Sequence, residues 1–152
     1  MTDVEFHTGV ADRIGYACRL LRKAYRSGAR VLVTAPSEVL AELDRALWAF
    51  DEREFLPHVV VSASVAAVRR RTPIWLAPLS EGLDDPAAGT PPRLVVNLGA
   101  DAPRDPQALD RLIEVLSTDV DDMDRGRARW RAYKGAGFDV VHHTGNVGSP
   151  GS

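Results

Sequence analysis

Cys18 is the only cysteine among the 152 residues, which excludes an intrachain disulfide and a zinc site built on thiolates. No apolar run approaches the roughly 20 residues that span a bilayer. The opening stretch, MTDVEF, has neither a basic region nor a signal-type apolar core. An excess of charge of one sign is missing too. Nineteen Lys and Arg face 21 Asp and Glu, for a formal net charge of −2, so the whole molecule has nothing to draw it to a phosphate backbone or an anionic membrane. These absences predict a cytoplasmic protein whose anion sites, if any, are local.

Chemical motifs are equally scarce. Gly9 and Gly15 flank the first strand-to-helix turn, but GVADRIG is neither a dinucleotide fingerprint nor a phosphate loop with its Lys-Ser/Thr. No nucleophile has a base beside it. His142 and His143 are adjacent, so on a strand they point to opposite faces, and His7 and His58 have no acidic or cysteine neighbour at chelating spacing. The aspartates Asp119, Asp121, Asp122 and Asp124 suit the positive end of a helix better than a calcium loop. No catalytic residue, metal or cofactor is expected.

What the chain does have is alternation. Its 45% apolar residues fall into short β-branched runs separated by helix-period segments, the pattern of a three-layer α/β domain with a mostly parallel sheet. Strands are expected at Val4 to Thr8, Ala29 to Ala35, His58 to Ser62, Ile74 to Ala77, Leu94 to Leu98 and Phe138 to His142. Helices are expected over Asp12 to Ser27, from an N-cap at Ser37 through Phe50, over Pro106 to Ser117 capped by Asp105, and over about Asp121 to Gly135. Ser80 to Pro92 reads as a surface loop. One domain covers residues 1–142, and 143–152 form a flexible polar tail.

Two surface features stand out. On the last helix Arg127, Trp130, Arg131 and Lys134 follow i, i+3, i+4, i+7 spacing and share one stripe. Ala128, Ala132 and Ala136 fall on another face, which as a small-residue face is expected to press against the sheet. Trp130 then either folds over the helix edge into a core gap or floors a cationic pocket. Such a pocket suits an acidic peptide ending in an apolar residue, with guanidinium groups on the carboxylate and the ring against the side chain. It could equally stack a nucleic-acid base, which the acidic balance weakens. The second feature is the cluster Trp48, Phe50, Phe55, Leu56 and Pro57 around the end of the second helix. A short link cannot bury all of these, so Trp48, Phe55 and Pro57 are expected on a partner interface, with Phe50 and part of Leu56 in the core.

Three segments, RSGARVLV from Arg26, LDRALWAF from Leu43 leading to FLPH from Phe55, and RARWRAYKGAGF from Arg127 to Phe138, together resemble the chi subunit of bacterial DNA polymerase III. The resemblance runs from near the N-terminus to Phe138. It implies a Rossmann-like fold without nucleotide chemistry and a non-catalytic adaptor within the polymerase III holoenzyme. It further implies that the clamp loader is bridged to single-stranded DNA-binding protein, with DNA contacted mainly indirectly. The family grips the acidic, Pro-Phe-ending tail of that protein through its last helix, here Arg127, Trp130 and Arg131, with Lys134 on the same stripe. A surface for the psi subunit matches Trp48, Phe55 and Pro57, with Leu56 beside them; an equivalent partner such as a helicase-like protein could dock there instead. Met123 stands where some relatives carry lysine, which implies a smaller cationic pocket. The rival from another class is an α/β enzyme using a strand-end crevice near Asp12, Asn97 and Asp101.

Overall fold

The computed structural model describes residues 2–51 and 53–144. In chain order the elements are β1 (Asp3–Val10), α1 (Arg13–Arg26), β2 (Val31–Thr34), α2 (Ser37–Ala49), β3 (His58–Val60), α3 (Ala66–Arg71), β4 (Ile74–Ala77), β5 (Leu94–Asn97), β6 (Arg111–Ser117), α4 (Val120–Gly135) and β7 (Val140–Thr144). Single 3₁₀ turns sit at Val61–Ala63 and Pro106–Ala108. The seven strands form one sheet in the order β3-β4-β2-β5-β6-β1-β7, and every pairing is parallel. This is a Rossmann-like three-layer α/β fold.

Strand alternation sorts the core into two halves. Val31, Val33, Ile74, Leu76, Ile113 and Val115 face α1 and α2, against Leu21, Leu40 and Leu43. Leu32, Trp75, Val95, Leu112 and Leu116 face the other way, against Tyr133 of α4 and the loop residue Ala88. Central strands covered on both sides have no polar face to display, which is why they read as unbroken apolar runs.

The structure corrects the expectation of a helix over Pro106 to Ser117. Only Pro106–Ala108 is helical, as a 3₁₀ turn, and Arg111–Ser117 is strand β6, paired with both β5 and β1. Leu109, Leu112, Ile113 and Leu116 have helical spacing, but Leu112 to Leu116 are all buried; a strand buried on both faces mimics a helix by apolar content alone. Helix α3 was not foreseen. Ser37 is the first helical residue rather than the N-cap, which is Pro36 without a side-chain bond. Asp119 does cap α4, accepting from the Asp122 amide at 3.0 Å. Strand β7 extends to Thr144 and so takes two residues from the expected tail; the remainder, 145–152, lies outside the described residues.

Candidate functional site

Helix α4 crosses the α4-side face of β6, and its inner stripe is Asp122, Gly126, Arg129 and Tyr133. This overturns the expected alanine face: Ala128, Ala132 and Ala136 are exposed. Polar residues turn inward because β6 carries a buried acid. Glu114 is 0% exposed and accepts from Arg129 Nε at 3.0 Å, Tyr133 Oη at 2.7 Å and Asn97 Nδ2 at 3.1 Å. Burial pushes the Glu114 carboxyl up from the usual carboxylate range, and the Arg129 charge with these hydrogen bonds pulls against it. Burial and the adjoining Glu114 raise the Tyr133 hydroxyl, so it stays a donor.

Gly126 sets the approach of helix to strand. A Cβ there would stand 2.4 and 2.5 Å from the two methyl carbons of Leu116. The close crossing rotates Arg127 and Trp130 towards the sheet edge, where β1 and β7 pair with Val4 opposite Val140 and Phe6 opposite His142. The result is a pocket of about 410 Å³ lined by Phe6, Thr8, Leu116, Met123, Gly126, Arg127, Trp130, Val140 and His142. Its floor is apolar, and its size is that of a small-ligand or side-chain site.

The expected stripe is therefore split. Arg127 and Trp130, the latter 40% exposed, line the pocket, and Arg127 also pairs with Asp124 at 3.2 Å. Lys134 places Nζ 5.8 Å from the Trp130 ring centroid as a cation over its face. Arg131 is exposed on α4 but is not part of the wall. Met123 enters the lining as an apolar group. The walls contributed by Phe6, Thr8, Val140 and His142 carry no local sequence signal, because they depend on the first strand pairing with the last.

The second surface also forms, with one correction. Trp48 is 62% and Phe55 53% exposed, stacked with centroids 5.2 Å apart, and Pro57 is half-buried beside them. Leu56 is 1% exposed and packs in the α1/α2-side core, so it cannot meet a partner. Beneath the ring pair, Asp44 Oδ1 accepts from His58 Nε2 across 3.0 Å, a carboxylate partner that local spacing did not reveal.

The strand-end crevice loses its polar groups to structure. Asn97 is fully buried and bonds Glu114, Thr34 and both backbone groups of Ala100. Asp12 caps α1 by accepting from Gly15 N at 3.0 Å. Strand β6 separates β1 from β5, so Asp12 is not on the strand next to Asn97. Asp101 is left exposed alone.

On the opposite face of the β1–β7 edge, His7 and His143 are register partners. Glu5 Oε1 lies 3.4 Å from Nε2 of each. The hydrogen bond from His7, with help from Arg111, holds the Glu5 carboxyl at about 2 despite partial burial.

Residues 1–141 match the family model described as DNA polymerase III chi subunit, HolC. The chain belongs to the DNA polymerase III chi subunit family. Among curated relatives, the DNA polymerase III subunit chi of Pseudomonas aeruginosa is 28% identical over 148 residues, covering 94% of this chain and 96% of the relative. That of Haemophilus influenzae is 30% identical over 136 residues, 87% and 85% of the two chains. Chi-family membership gives the chain a replication accessory role, and no helix among the described residues is long and apolar enough to cross a membrane.

Proposed function

We propose that this chi-family chain is a non-catalytic adaptor that holds the acidic, Pro-Phe-ending tail of single-stranded DNA-binding protein in the α4 pocket. The observation that carries the reading is the apolar pocket with Arg127 and Trp130 on its rim and Lys134 over the indole. A phenyl ring fills the floor of Phe6, Leu116, Met123 and Val140, while Arg127 takes the terminal carboxylate. Lys134 and Arg131 attract the acidic residues that precede it.

Burying one Phe side chain contributes about 1.5–3 kcal/mol, and each charged hydrogen bond about 1.5–3. Association costs several kcal/mol, so the net is micromolar, about −8 kcal/mol. Attraction of an acidic tail to exposed cations is screened, so affinity falls as salt rises.

The Trp48–Phe55 stack, with Pro57, is the docking surface for the psi subunit or an equivalent clamp-loader partner. Support comes from two large rings left in solvent side by side, a costly arrangement on an unpartnered surface. In this role the protein acts in the cytoplasm at the replisome and catalyses nothing itself.

Calorimetric titration with an acidic peptide ending in Pro-Phe, at low and moderate salt, tests the assignment. Micromolar binding that weakens with salt and disappears in the Arg127→Ala, Trp130→Ala double variant is the expected result. Absence of binding by the unaltered protein would remove the tail from this pocket.

A further inference from the structure

Glu5, His7 and His143 converge on one point on the α1 side of the sheet edge. Their ligand atoms all lie within 4.8 Å of one another. Glu5 Oε1 is 3.4 Å from His7 Nε2 and 3.4 Å from His143 Nε2. In a tetrahedral site with metal–ligand bonds of about 2.0–2.1 Å, neighbouring ligand atoms stand about 3.3–3.4 Å apart. Two edges of such a site are already in place, and the third, between the two imidazoles, is no longer than 4.8 Å.

The geometry points to a divalent zinc-type site formed by Glu5 Oε1, His7 Nε2 and His143 Nε2, with solvent in the fourth position. The outer supports that such a site needs are present. His7 Nδ1 is hydrogen-bonded to the Tyr16 hydroxyl; in the ion-binding tautomer Nδ1–H donates to that oxygen, and the Nε2 lone pair turns to the ion in place of the hydrogen bond that Nε2 makes to Glu5 when no ion is bound. Arg111 donates to Glu5 Oε2 at 2.5 Å, which leaves Oε1 for the ion and fixes the plane of the carboxylate. Two imidazoles and a carboxylate are a borderline ligand set that suits zinc, cobalt and nickel rather than calcium or magnesium.

Adjacency in sequence hides the site. His142 and His143 do point to opposite faces, but parallel pairing sets His143 directly beside His7. His142 lines the α4 pocket on the other side. An ion here would fasten β7, the edge strand carrying one pocket wall, to β1. The cationic Arg111 close by opposes the ion's charge and so weakens its binding. None of this depends on what the α4 pocket binds.

Calorimetric titration of the whole chain with zinc chloride in a non-chelating buffer tests the proposal. Cobalt absorption serves as a second readout, and circular dichroism checks that each variant stays folded. One ion per chain with micromolar affinity, a four-coordinate cobalt spectrum, a raised melting midpoint, and at least tenfold weaker zinc binding in both His143→Ala and Glu5→Gln are expected. No stoichiometric binding at about 0.1 mM zinc overturns it. So does a folded His143→Ala variant that loses less than tenfold, since the ion would then sit elsewhere.

Discussion

Glu114 is bound by three donors drawn from two elements, Asn97 on β5 and Arg129 and Tyr133 on α4. A buried pair of this kind adds little net stability while intact, but removing one partner strands a charge in the core. Arg129→Met is therefore expected to destabilise the fold by about 3–5 kcal/mol in urea unfolding. The paired change Arg129→Met, Glu114→Leu should recover much of the loss. The residue scale is also where the sequence was hardest to read. A glutamate within an apolar run and an arginine beside Trp130 look like surface charges until the strand and helix that bury them are brought together. Leu56 misled in the opposite direction: its neighbours Phe55 and Pro57 stay at the surface, while it turns inward to the core.

At the scale of elements, α4 and β6 are fitted to one another at Gly126. Alanine is a better helix former by about 1 kcal/mol, yet Gly126→Ala would drive a Cβ into Leu116 at 2.4 Å. Overpacking of this type costs about 1–3 kcal/mol, so a net loss of thermal stability is expected. Weaker peptide binding should accompany it, because Leu116, Gly126 and Trp130 share the pocket. Most elements were legible from periodicity, and β4 was found at its observed bounds, Ile74–Ala77. β6 was not, since a strand enclosed on both faces shows no alternation. The stripe of Arg127, Trp130, Arg131 and Lys134 was also legible as an outward face. The face beneath it was not, because α4 buries arginine and tyrosine where the alanines appeared to be the natural contact.

For the molecule as a whole, Asp122 ties three layers together. It accepts from Arg13 Nη1 at 2.9 Å and from the Ser117 amide and hydroxyl at 2.8 and 3.0 Å. Burial alone would raise its carboxyl, but the Ser117 amide and Arg13 outweigh burial and hold it below its ordinary 3.8. A depressed folded value means that the unfolded chain takes up the proton first. The stabilisation is therefore complete above 3.8 and fades as pH falls through the folded value. Melting midpoints of the protein and of Asp122→Asn should stay a constant interval apart from neutral pH down to 3.8 and converge as pH falls from there through the folded value. An interval independent of pH throughout would show that Asp122 contributes by packing rather than by charge. Whole-molecule topology was the part least visible in the sequence. Alternation implies a parallel sheet but not which strands are neighbours, and both the α4 pocket and the Glu5–His7–His143 cluster exist because β7 comes to lie beside β1.

That neighbour relation sets an order of events during synthesis. Val4 meets Val140 and Thr8 meets Thr144, so the first strand waits for nearly the whole described chain to emerge before its outer edge is covered. A nascent protein can assemble β1 to β6, with α1 and α2 in place, and still lack the outer wall of the pocket. Closing so long a loop is among the slow steps of folding. The wall that β7 gives the pocket is thus acquired last.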